Sequence, residues 1–120
     1  NIIFTGFADL DLVQELYSNC AAYVLHSETE GLALTLIEAM ACGARCITSD
    51  IPENTVVLKE FGKTFVSKDV NSLANALVEM VNEPFDAQKA SRQMEYIKND
   101  YSYDRFYREY LKLYKKVMGE

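Results

Sequence analysis

The chain has 120 residues, enough for one domain and one core. Apolar residues make up 49% and charged residues 25%, which excludes a disordered or low-complexity chain. The net charge of −6 is uneven: residues 1–60 carry nine acids against Arg45 and Lys59, and the bases gather towards the end. A basic stripe occurs only in the last predicted helix, which argues against nucleic acid as a partner.

Residues 1–5 read as a strand, ended by Gly6. Residue 1 is Asn, and the apolar run Ile2-Ile3-Phe4 begins at once, which predicts a chain cut from something larger. Residues 9–20 place Leu10, Val13, Leu16, Tyr17 and Cys20 at helical spacing, with Asp9 as N-cap. Residues 22–26 form a continuous apolar run, the pattern of a strand covered on both faces. A helix over 35–42 stops at Gly43, and residues 45–48 make another strand. Pro52-Glu53-Asn54 reads as a turn before a short helix at about 55–60. Residues 63–66 are a weaker strand after Gly62. Helices follow over 71–81, 86–98 and 104–117. No apolar run nears the roughly 18–20 residues of a membrane span, and no signal-peptide pattern opens the chain.

Strands alternating with helices predict an α/β fold with a doubly wound, Rossmann-like parallel sheet. Such sheets bind ligands beyond the carboxyl ends of their strands. That directs attention to the loops over 27–34 and 49–54. The stretch Ser27-Glu28-Thr29-Glu30-Gly31-Leu32-Ala33-Leu34-Thr35 is a strand end, a glycine turn and a helix start. Amides over residues 31–35 can receive an anion such as a phosphate. Gly31 lets backbone approach a ligand closely. Glu30 lies in the loop and Glu38 in the first helical turn, and a carboxylate accepts well from paired sugar hydroxyls. A structural account competes: Thr35 and Glu38 have the spacing of a capping box, and Glu30 can merely favour the helix dipole.

The same stretch resembles the donor-binding signature of retaining glycosyltransferases with two Rossmann domains (the GT-B architecture), family four. The resemblance rests on Ser27, Glu30, Gly31, Leu32, Leu34, Glu38, Ala39, Met40, Ala41, Gly43, Cys46, Ile47, Ser49 and Asp50. Flanking segments, from Phe4-Thr5-Gly6 to the terminal aromatic helix, extend it over essentially the whole chain. It implies that residues 1–120 are one C-terminal nucleotide-sugar-binding domain, with an acceptor domain N-terminal to it. It implies that Glu30 faces the donor sugar near the reacting centre and that Glu38 holds the ribose. Gly31, Leu32, Ala33, Leu34 and Thr35 would form the rest of the donor site. The implied donor is a UDP-, GDP- or ADP-linked sugar, with no cofactor and no metal. The implied setting is bacterial polysaccharide or lipopolysaccharide synthesis in the cytoplasm, at the inner face of the membrane.

Two positions depart from the family pattern: Ala33 replaces a second glycine and Thr35 a common proline. The basic pair that clamps the diphosphate in the family has no match here. Asp50 either reaches the site or caps the next turn, and His26 reads as a packed histidine. Cys20, Cys42 and Cys46 lack CxxC spacing and read as buried thiols. The last helix interleaves aromatics with Arg105, Arg108, Lys112, Lys115 and Lys116. It is read as packing on the missing domain, with peripheral contact to an anionic membrane as the alternative. The rival functions are a non-catalytic nucleotide-sugar-binding module and an epimerase or phosphorylase of the same architecture.

Overall fold

A computed structural model describes residues 1–119. Its sheet has three parallel strands in the order β1-β2-β3: β1 (Tyr23–Leu25), β2 (Cys46–Ser49) and β3 (Lys63–Phe65). The register pairs Val24 with Ile47 and Thr48 with Thr64. The central strand is buried along its whole length, as a strand covered on both faces requires. The helices are α1 (Leu10–Asn19), α2 (Leu34–Ala41), α3 (Pro52–Leu58), α4 (Val70–Asn82), α5 (Ala87–Asp100) and α6 (Tyr103–Met118). A single 3-10 turn, Lys59–Phe61, joins α3 to β3.

Alternation along β2 divides the core. Cys46 joins Leu36, Ala39, Met40, Val57, Leu58 and Ile97, so α2, α3 and α5 cover one face. Ile47 joins Phe65, Ala76 and Met80, so α4 covers the other. This is the doubly wound, Rossmann-like α/β arrangement that the alternating pattern predicts.

The α2–α5 contact is secured by a polar device. Gly43, at φ 77, ends α2; its amide donates to the Met40 carbonyl and that of Ala44 to Ala39. This is a Schellman closure, which needs a left-handed residue at that point. The buried Gln93 amide of α5 then donates to the carbonyls of Met40, at 3.0 Å, and Ala44, at 2.9 Å. Gln93→Leu leaves these carbonyls short of a donor while keeping side-chain bulk. It should lower unfolding stability by roughly 1–3 kcal/mol, read from the denaturant midpoint.

Three expectations need correction. Residues 1–5 are not a strand: β1 pairs only with β2, and Ile2, Ile3 and Phe4 stand 86%, 82% and 93% exposed. A parallel strand exists through its neighbour's ladder, and this segment has no such partner among the described residues. Pro52-Glu53-Asn54 is not a turn but the opening of α3, because proline at the first helical position is pre-organised for a helix. Glu38 is the fifth residue of α2 and so lies beyond its first turn. The last helix has the predicted extent within a residue, and none of its residues is buried.

Candidate functional site

The carboxyl end of β1 runs into the loop 26–33 and then into α2. Helix α2 starts at Leu34, with Ala33 buried at its N-cap and no side-chain cap. This overturns the capping-box account of Thr35 and Glu38. Thr35 is inside the helix, and its Oγ1 instead accepts a 2.7 Å hydrogen bond from the Tyr23 hydroxyl. Burial pushes that hydroxyl up to about 12, so Tyr23 remains a donor at neutral pH. The Leu34 amide closes on the Leu32 carbonyl at 2.8 Å. The Thr35 amide, in the first helical turn, has no hydrogen-bond acceptor among the described residues, whereas Leu36 is fully buried.

Glu30 is half-buried in the loop and accepts a hydrogen bond from the Ser27 hydroxyl. Glu38 is exposed on α2. Leu32 and Leu34 are exposed beside them, while Ala33 packs into the core. Gly31 is exposed; its φ is not positive, and a Cβ added there would meet nothing within 4 Å. The fold therefore has no need of glycine at position 31, and the remaining physical reason for it is a close approach from outside. The loop and the start of α2 thus bring Glu30, Gly31, Leu32, Ala33, Leu34 and Thr35 together, with Glu38 one turn along the helix.

The other candidates have structural partners. Asp50 accepts the Ser67 amide at 2.9 Å, and its own amide donates to the Phe65 carbonyl, which ties the ends of β2 and β3. His26 is exposed at the end of β1 rather than packed. Arg45 donates to the carbonyls of Ala21, Met80 and Glu83 before β2 begins, at the opposite edge of the sheet. Lys68 approaches the loop but pairs with Glu28 at 3.0 Å. Cys46 is fully buried, and burial pushes its thiol up to about 12; Cys20 and Cys42 are only half-buried. Among the described residues no group of three His, Cys, Asp or Glu side chains is set to hold a metal ion.

Sequence reasoning did not single out Ser27 and Ser49 as separate contributors, and it treated Asn54 as a turn residue. Ser49 donates to the Ser27 carbonyl and accepts from the Asn54 amide. The serine three residues before Glu30 was the readable signal, since that spacing suits a local side-chain hydrogen bond.

The sequence matches the family of glycosyl transferases group 1 over residues 1–100. The chain belongs to this family. Among curated relatives, proteins described as serotype-specific mannosyltransferase WbdA from Escherichia coli are 34% identical over 76 residues. The match covers 63% of this chain and 9% of the relative, so the group 1 domain seen here spans a small part of those proteins. Within the group 1 glycosyltransferase match fall the loop 26–33, all of α2 and the polar residues behind them. No described helix is long and apolar enough to cross a membrane.

Proposed function

We propose that this chain is the donor-binding half of a retaining glycosyltransferase. The whole protein would move a hexose from a nucleotide-diphosphate donor to a hydroxyl acceptor carried by an N-terminal acceptor domain. The observation that carries the reading is the start of α2: uncapped, at the carboxyl edge of a parallel sheet, preceded by a glycine that the fold does not require. Free amides at a helix N-terminus favour the dianionic diphosphate. The backbone of residues 31–35 would hold the diphosphate and sugar, and Glu38 would accept from the ribose hydroxyls. Glu30 would lie against the donor sugar near its anomeric carbon.

In the reaction the bond from the anomeric carbon to the diphosphate oxygen breaks, and the diphosphate leaves with the electron pair. The acceptor oxygen bonds to that carbon on the same face and gives its proton to an oxygen of the departing diphosphate. Helix amides stabilise the charge growing on the leaving diphosphate, and Glu30 the positive charge on the sugar. Neither step invokes a metal. The mannosyltransferase name of the matched relatives supports mannose as the sugar and surface polysaccharide as the product class. The reading sets turnover in the cytoplasm, with lipid-borne acceptors met at the inner membrane face.

The test is a titration with GDP, UDP and ADP and their common sugar conjugates, followed by amide NMR. Shifts should centre on residues 31–38, with one nucleotide preferred. Glu38→Ala should weaken that binding about tenfold, the equivalent of one lost hydrogen bond to a charged group. Equal affinity in the variant would remove Glu38 from the ribose site. Binding without any transfer in the full-length protein would favour the non-catalytic module. Donor isomerisation without acceptor, or a requirement for inorganic phosphate, would favour the epimerase or the phosphorylase.

A further inference from the structure

We infer that Ser49 and Asn54 are positioning residues that hold Glu30 in place through Ser27. The inference rests on the role proposed above for Glu30. A continuous series of hydrogen bonds crosses from the core to the site. The Asn54 amide on α3 donates to the Ser49 hydroxyl at the end of β2, at 3.1 Å. The Ser49 hydroxyl donates to the Ser27 carbonyl, and the Ser27 hydroxyl donates to Oε1 of Glu30.

Each serine has one proton, and each proton has a fixed destination. Ser49 accepts from Asn54, so its own proton is directed at Ser27. The loop is thereby pinned to the central strand, and the Ser27 hydroxyl is pinned to one oxygen of the carboxylate. The other oxygen, Oε2, is left for a ligand. Ser49 and Asn54 are fully buried, whereas Glu30 is half-buried in a loop. A rigid core thus sets the position of a carboxylate that its own loop would leave free to turn.

A purely structural role explains this arrangement poorly. The Oδ1 atom of Asn54 is buried with no hydrogen-bond partner among the described residues. An apolar side chain would pack at that point without an unmet acceptor. The Asn54 amide nitrogen lies 3.1 Å from the Ser49 hydroxyl and 3.5 Å from the Ser49 carbonyl, so both its contacts serve the end of β2.

The test uses the full-length protein, with GDP-mannose, UDP-glucose and ADP-glucose as donor probes. Ser49→Ala and Ser27→Ala should each lower kcat by about 10- to 100-fold and move donor KM by less than about threefold. In a Glu30→Gln background the same substitutions should have little further effect, because the group they position has lost its charge. Equal losses in both backgrounds, or an unchanged kcat in Ser27→Ala, would overturn the inference. Should Ser49→Ala fail to fold, Ser49→Cys, of similar size with a weaker donor, gives the same readout and decides together with Ser27→Ala. A slow Glu30→Gln beside a normal Ser27→Ala sinks the positioning role only. A fully active Glu30→Gln, or turnover of none of the three donors by the unaltered protein, sinks the transferase reading and this inference together.

Discussion

Glu30→Gln in the full-length protein should lower kcat by about two orders of magnitude while leaving the fold intact. The substitution keeps size and shape. The Ser27 hydroxyl can still donate to the amide oxygen, so the local hydrogen bond survives. Under the proposed function, what disappears is a negative charge beside a carbon that becomes positive as the diphosphate leaves. Such charge is worth most in the transition state, so the loss should appear in kcat and leave donor KM nearly unchanged. Glu38→Gln should show the reverse split, because the ribose contacts proposed for Glu38 are the same in ground and transition states. Thermal unfolding of both variants should stay within about 2 °C of the parent, since surface changes of this kind usually shift stability by under about 0.5 kcal/mol. An unchanged kcat in Glu30→Gln would move the chain to the non-catalytic module.

Where the sequence carried a local signal with a local cause, it predicted the structure. Asp9 precedes an apolar periodic run and reads as an N-cap, and its side chain accepts the Leu12 amide in the first turn of α1; Asp69 and Asp86, not read as caps from the sequence, do the same for α4 and α5. The place of the loop 26–33 between a strand and a helix was equally readable, whereas roles for its residues came only from the family resemblance. The failures share one physical cause, which is dependence on distant partners. Ile2-Ile3-Phe4 has the composition of a strand, yet a strand also needs a neighbour to pair with. Thr35 and Glu38 have capping-box spacing, yet α2 begins one residue early and gives the threonine hydroxyl to Tyr23. The series from Asn54 through Ser49 to Ser27 spans β2 and its neighbours, and the two serines stand 22 positions apart in the chain. No periodicity encodes that contact.

The largest loss of stability should come from Gly62→Ala, and the reason is space rather than backbone freedom. Gly62 lies between the 3-10 turn and β3 with φ −135 and ψ −162, an extended conformation open to any residue. A Cβ there would stand 2.3 Å from the Cys46 carbonyl oxygen and 2.5 Å from Cδ1 of Leu58. Neither neighbour can retreat. Leu58, the last residue of α3, is fully buried in the core with residues of α2, and Cys46 belongs to the central strand. Relief requires β3 to draw away from β2, where Lys63 is already paired with Ile47. Overpacking against flexible side chains costs about 1–3 kcal/mol, so a clash with strand backbone should exceed about 4 kcal/mol. The expected result is loss of the cooperative denaturant transition, and a midpoint near that of the parent would refute the clash. Gly31→Ala is the matching control. Its Cβ meets nothing within 4 Å and its φ is not positive, so stability should change by under about 1 kcal/mol. If the donor's diphosphate approaches the loop as proposed, the same methyl group would stand in its way, so nucleotide-sugar affinity should fall while the fold persists. Under the proposed function one glycine serves the packing of the sheet and the other the ligand, and this pair of substitutions separates the two demands.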